Sequence, residues 1–339
     1  KSYGGFNNDI GRSIIQLADS GFVMAGYTNS FGAGGYDMFV VRTDKLGNLI
    51  WQKTIGGLDW DFGYCVKAST AGDSLIIAGN TYSFGYGKSD GYIVKLGLNG
   101  VFGWQKTYGG TEDDEFKSFV LTYNGMYAFA GITKNMGDAK GDAWLLKTGL
   151  SGDSVMAKNY GSINKKQFFN DLSEHPISRD FVFCGGWDVA GDDTIFGYVL
   201  WTDENGNFIN DVQDSYKNLK DEQFYAITYS NKNTDYAFLR RQPYSSTDSR
   251  LQAMIMMLNP IGLSAVIGNI SKYGAIEDDE LLKIANTRDK GFIAVGYTTG
   301  FGANLNDVFL VKLDSSLAGS TSIVGINELP KENNNSINV

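Results

Sequence analysis

Residues 104–110 read WQKTYGG, and residues 51–57 read WQKTIGG, the same phrase with one letter changed. The chain opens inside that phrase, at Lys1-Ser2-Tyr3-Gly4-Gly5. Its ending returns as Tyr160-Gly161-Ser162 and Tyr273-Gly274-Ala275, with Tyr216-Lys217-Asn218 as a degraded copy. The copies start 52, 53, 52, 56 and 57 residues apart, counting from Tyr3 through Ile55, Tyr108, Tyr160 and Tyr216 to Tyr273. A period of about 50 residues marks a propeller or an array of stacked units.

Each repeat holds four strand-like segments. In the first they are IGRSIIQLA (10–18), FVMAGYT (22–28), DMFVVRTD (37–44) and LIWQKTI (49–55). The second segment returns as LIIAGNT (75–81), YAFAGIT (127–133), FVFCGGW (181–187) and FIAVGYT (292–298). All are rich in β-branched and aromatic residues and bounded by turn residues, and no stretch of ten shows a helical period. The first-to-second and third-to-fourth links are short, as in hairpins, whereas the second-to-third link (29–36) is longer. Four-stranded meanders cannot bury both faces alone, but sheets packed radially can. The prediction is an all-β, six-bladed β-propeller, with a seven-bladed ring as the alternative. A single domain over 1–326 would hold repeats near 1–51, 52–104, 105–157, 158–210, 211–267 and 268–326, followed by a tail, 327–339. Blade six lacks a good fourth strand, which either Lys1–Tyr3 or Thr321–Ile326 is expected to supply.

Composition narrows the partners. At 42% hydrophobic and 20% charged residues, the 339-residue chain is globular rather than disordered. A net charge of -9 with no basic run argues against a nucleic-acid partner, which needs clustered Lys and Arg. No apolar stretch is long enough to cross a bilayer as a helix, so no membrane span is expected. With 43 Gly and only 4 Pro, turns must rest on glycine and Asn/Asp chemistry. Cys65 and Cys184 fall in non-adjacent repeats, where buried free thiols are the expectation.

The pattern W-x-K-T-Y-G-G, then D-x-G-F-x-x-A-G-Y-T-x-S-F-G and D-x-F-V-V-K-x-D-x-x-G-N, resembles the delta-sixty-like propeller repeats of bacterial secreted proteins. The likeness is strong in repeats one, two, three and six and faint in four and five. The tail GINELPKENNNSINV (325–339) resembles the lead-in to a type IX secretion sorting domain. Together these imply a secreted or cell-surface product of Bacteroidota-type machinery, engaging that machinery through a further C-terminal sorting region.

Candidate chemistry is sparse. The single histidine, His175, lies beside Pro176 in a predicted turn, and no zinc spacing occurs. An acid follows the repeat tyrosine by six positions at Asp9, Asp61, Asp114, Glu222 and Asp279, with Lys166 there in repeat four. A second acid opens the third strand at Asp37, Asp90, Asp142 and Asp307. Such acids suit either a ring holding a cation or caps that accept N–H groups of the glycine turns, and recurrence favours the caps. Asp203-Glu-Asn-Gly-Asn207 reads as a hairpin turn rather than a calcium loop, and the runs at 112–115 and 277–280 offer at most weak surface calcium. No cofactor is expected. The glycine loops at 30–35 and 83–88 precede strands, not helices, so they are no phosphate cradle. Phe31, Phe84, Tyr86, Phe301 and Met136 recur in the long loops, where they read as plugs between blades rather than a sugar-stacking platform. Trp51 and Trp104 read as core between blades.

Departures from the repeat carry more information than its consensus. Trp187, Asp188, Asp192 and Asp193 in repeat four, and Arg240, Arg241 and Tyr244 in repeat five, form the predicted partner-binding patch. The expected function is an exported, non-catalytic scaffold or interaction module for a protein or glycan at the cell surface. A propeller-fold polysaccharide lyase or hydrolase using acids of the long-loop face is the alternative.

Overall fold

A computed structural model describes residues 1–188, 194–213, 222–230, 235–245, 248–258, 267–273, 279–299, 307–315 and 317. The chain divides into two compact units, 1–213 and 214–339. The first holds four antiparallel sheets, each a four-stranded meander in chain order. Its first sheet is Asp9–Gln16, Phe22–Thr28, Asp37–Thr43 and Leu49–Ile55, and its second is Asp61–Ala68, Ser74–Thr81, Asp90–Gly97 and Phe102–Tyr108. The third runs from Asp114–Leu121 to Ser154–Tyr160 and the fourth from Gln167–Glu174 to Phe208–Gln213. The second unit holds a four-stranded sheet, Gln223–Tyr229 to Ile267–Tyr273, and a sheet with three described strands, Asp279–Asn286, Phe292–Thr298 and Asp307–Leu313. These six meanders are the blades the repeat predicts.

Strand periodicity sends alternate side chains into different cores. Leu75 and Ile77 pack with Val23, Val40 and Met38 of the first blade. Their neighbours Ile76 and Ala78 pack with Phe116, Phe119 and Phe129 of the third. Both faces of the second strand are therefore buried, and every residue of Ser74–Thr81 is. Phe169, Phe183 and Leu200 join Ala130 and Leu145 in the core between blades three and four. In the second unit, Leu239 and Ile255 meet Leu281, Phe292 and Val311. Each such side chain withdrawn from water contributes about 2 kcal/mol.

Two devices recur. Opposite the second strand the first slips by one residue, a β-bulge, at Gly11/Ser13, Gly63/Cys65, Phe169/Asp171 and Leu281/Lys283, for example. The facing residue is Gly26, Gly79, Gly185 or Gly296, where a Cβ would run into the carbonyl oxygen of Ile10, Phe62, Phe168 or Glu280. That explains the glycine of the A-G-Y-T phrase. The second device is a latch. Tyr160 Oη donates to Gly206 O at 2.7 Å, across to the next blade's third-to-fourth hairpin, and Tyr108 Oη does the same to Gly152 O. Tyr3 Oη donates to Gly47 O at 2.5 Å and Lys1 Nζ to Asn48, so Lys1–Tyr3 makes the contacts of a fourth-strand end although it is not itself a strand. Thr321–Ile326, the other expected closing segment, lies outside the described residues. Trp51 fills the predicted inter-blade place, its indole N–H donating to Leu98 O at 3.0 Å.

Candidate functional site

The recurrent acids resolve first. Asp9, Asp61 and Asp114 accept the backbone N–H of Gly5, Gly57 and Gly110 at 2.8, 2.8 and 3.0 Å, capping the glycine turn that enters each blade. Asp9 and Asp61 also accept hydroxyls from Thr28 and Ser30, and from Thr81 and Ser83. Asp37 and Asp90 cap the long loops through Ala33 N and Tyr86 N, at 2.9 and 2.6 Å. A methyl group on Gly56 would overlap the carboxylates of both Asp37 and Asp61, and one on Gly109 those of both Asp90 and Asp114. An acid from each of two adjacent blades therefore flanks one glycine. Burial, opposed by the capping N–H and reinforced by the facing acid, pushes Asp37 and Asp90 up to about 6. In blade four the structure corrects the expected position: Gln167, not Lys166, takes the capping acid's place. Its N–H donates to Gly141 O as those of Asp61 and Asp114 do to Tyr36 O and Ser89 O, because the entering loop is one residue longer.

The predicted patch is differently placed. Trp187 is buried against Phe196, with Lys165 Nζ 4.2 Å from its ring, and Asp188 accepts the N–H of Lys166 at 2.7 Å. Arg240 and Arg241 lie within the strand Tyr236–Ser245 rather than in a loop. Arg240 stands where other blades carry the bulge glycine, and its guanidinium pairs at 2.7 Å with Glu222, the two being 3% and 0% exposed. Arg241 pairs with Glu280 at 3.0 Å and bonds Tyr225 Oη. Asp192 and Asp193 and the side chain of Tyr244 lie outside the described residues. Both cations are thus engaged by carboxylates within the second unit.

Other candidates are structural as well. His175 Nδ1 accepts the N–H groups of Ile177 and Ser178, closing its own turn. Asp203 accepts Asn205 N and Asn207 N, a hairpin cap like Asp44. Glu112, Asp113 and Glu115 pair separately with Lys88, Lys134 and Lys117. Cys65 and Cys184 are both buried and neither is in a disulfide. Phe84 and Met136 pack into inter-blade cores, whereas Phe31, 5.9 Å from Phe39 of its own blade, is 38% exposed and Tyr86 79% exposed; Phe301 lies outside the described residues. Among the described residues no group of three His, Cys, Asp or Glu is placed to hold a metal.

A different cluster emerges where the first two blades meet. Tyr27 and Tyr36 of blade one contact Phe62 of blade two at 4.9 and 5.9 Å between centroids. Trp60 contacts Tyr36, Phe62 and Tyr82 at 6.4, 6.2 and 6.2 Å, and Phe62 stacks on Tyr64 at 6.1 Å. Edge-on pairs leave ring faces uncovered; Trp60 is 54% and Tyr82 42% exposed. The glycine loop of blade one makes room. A Cβ on Gly35 would overlap the Trp60 indole, and one on Gly34, at φ +92°, would overlap Leu58 O. Tyr82 N–H donates to Trp60 O at 2.8 Å, fixing the loop from the other side. The indole is thus set in place before any ligand arrives. No single repeat shows this cluster; it is visible only when equivalent positions are lined up. The column holding Asn8, Asp113 and Lys166 holds Trp60 in blade two, as their matching carbonyl hydrogen bonds demonstrate.

No known protein family matches the sequence, and no curated protein does. Solved structures are similar in shape. Hydrazine synthase from Kuenenia stuttgartiensis matches with a TM-score of 0.60 at 8% identity, over 91% of this chain and 78% of that one. A glucose dehydrogenase matches with a TM-score of 0.51 at 8% identity, over 89% and 95%. The Neurospora crassa Pan2 WD40 domain gives 0.46 at 10% identity, over 74% and 62%. At 8% identity the first two carry the fold alone, and the fold is a six-bladed β-propeller.

Proposed function

We propose that the chain is a non-catalytic interaction module that binds a glycan on the aromatic ledge of blades one and two, and that it acts outside the cell. The observation carrying this reading is the preset, half-exposed Trp60 amid five further aromatic rings. Flat rings with free faces suit the C–H faces of pyranoses, and the tyrosine hydroxyls and neighbouring Asn side chains suit their hydroxyls. Export rests on the repeat and tail resemblances. The acid pairs a hydrolase would need recur at successive junctions and lie sealed under glycine turns, which favours binding without cleavage. Affinity electrophoresis through polysaccharide gels tests it: the native chain should be retarded by at least one glycan with no release of reducing ends. Trp60→Ala should abolish the retardation while the chain stays folded. Retardation unchanged in Trp60→Ala, or glycan cleavage, would sink the reading.

A further inference from the structure

We infer that the ledge selects an acidic glycan, with Arg12 receiving a sugar carboxylate; this rests on the glycan reading above. The bulge of each first strand turns one residue out of the ladder, re-aiming its side chain. In the first three blades these residues are Arg12, Tyr64 and Lys117. They line up across the blades: the Arg12 guanidinium lies 5.8 Å and Lys117 Nζ 4.7 Å from the Tyr64 ring centroid. Arg12 also lies 5.7 Å from the Tyr27 ring. Tyr64 stacks on Phe62, and Phe62 meets Trp60, so one track of rings runs from the exposed indole to the cations.

The charges in this row are unequal in what they can offer. Lys117 is matched by Glu115. Arg12 is exposed, and among the described residues no carboxylate pairs with it, although the chain carries a net charge of -9. Cation–π contacts with both rings hold its guanidinium, and among the described residues no carboxylate takes its N–H fork. Burial, then the charge of Glu115, pushes the Tyr64 phenol upward, so its hydroxyl remains protonated. A pre-oriented guanidinium at the end of an aromatic track fits a uronic-acid chain: rings for the sugar faces, a fork for the carboxylate.

Isothermal titration calorimetry on the full chain tests this with polygalacturonate and its carboxyl-reduced, neutral counterpart. Polygalacturonate should bind about ten-fold more tightly, the worth of one charge-assisted hydrogen bond. Arg12→Gln should erase that difference, and Arg12→Lys should keep part of it. Added salt should narrow the gap in the native chain and not in Arg12→Gln. Equal, Trp60-dependent affinity for both polymers would overturn the acidic selection and leave the glycan reading standing. Binding to neither polymer would overturn the acidic selection, and the glycan reading falls with it only if no glycan retards the native chain.

Discussion

The junction of blades one and two and that of blades two and three use the same backbone positions for opposite chemistry. At the first, those positions hold Tyr27, Tyr36, Trp60, Phe62, Tyr64 and Tyr82. At the second, they hold Asn80, Ser89, Asp113, Glu115, Lys117 and Lys134. The second set resolves into ion pairs, Lys134 to Asp113 at 2.9 Å and Lys117 to Glu115. Beneath both, the scaffold is unchanged: a capped glycine turn, paired acids around a glycine, a bulge and its glycine. Packing therefore dictates one layer of each junction and leaves the layer above it open to function.

The largest expected effect tests whether that scaffold is shared. Gly56→Ala and Gly109→Ala each drive a methyl into two carboxylates, so each should cost about 3 kcal/mol. Thermal melts should show the two falling together; a strong loss at one junction only would mean that the frameworks differ.

A smaller effect concerns the paired acids. Asp37 and Asp90, pushed by burial up to about 6 from the ordinary aspartate value of 3.8, hold protons in the folded chain that the unfolded chain has already released. Their contribution is therefore full at low pH and is lost as pH climbs from about 4 through about 6. Asp37→Asn or Asp90→Asn keeps the capping acceptor and removes the charge. Each should raise Tm at pH 7 by about 2 °C relative to the native chain and leave it unchanged at pH 4. Parallel curves for native and variant chains across that window would refute this.

The smallest effect on stability sharpens the comparison most. Trp60→Asp with Tyr82→Lys rebuilds at the first junction the Asp113–Lys134 pair of the second. Exposed pairs contribute little, so stability should shift by less than about 1 kcal/mol. Polysaccharide retardation should nevertheless disappear. A badly folded double variant would show that the rings are needed for packing after all.

The fold was legible because its signals are local and repeated. Phe22–Thr28 and Leu49–Ile55 are strands with the bounds that their apolar patterns suggest. The caps were legible too, since an Asp beside Gly-Gly has few better partners than the turn's own N–H groups. The ledge was not, because Tyr27 and Tyr82 belong to different repeats and each looks like an ordinary strand-end residue. Only the three-dimensional meeting of two blades brings both into one cluster, Tyr27 against Phe62 and Tyr82 against Trp60. Arg240 misled for a related reason: a charge in a degraded repeat suggests a surface loop, yet here it enters a strand and answers a buried Glu222. Lys166 misled by one residue, since counting from Tyr160 ignores an insertion that hydrogen bonding reveals.

The tyrosine latch has a consequence for inheritance. Tyr108 and Tyr160 each serve the blade that follows, not their own, and Tyr3 does so for blade one. A repeat copied by duplication thus arrives carrying the fastening for whichever repeat comes next, and offers a glycine carbonyl to the one before. Gains or losses of repeats that end in this tyrosine preserve the fastening, whatever the ledge above has come to hold; the first blade, which ends in Ile55, reaches the next through Trp51 and Lys53 instead.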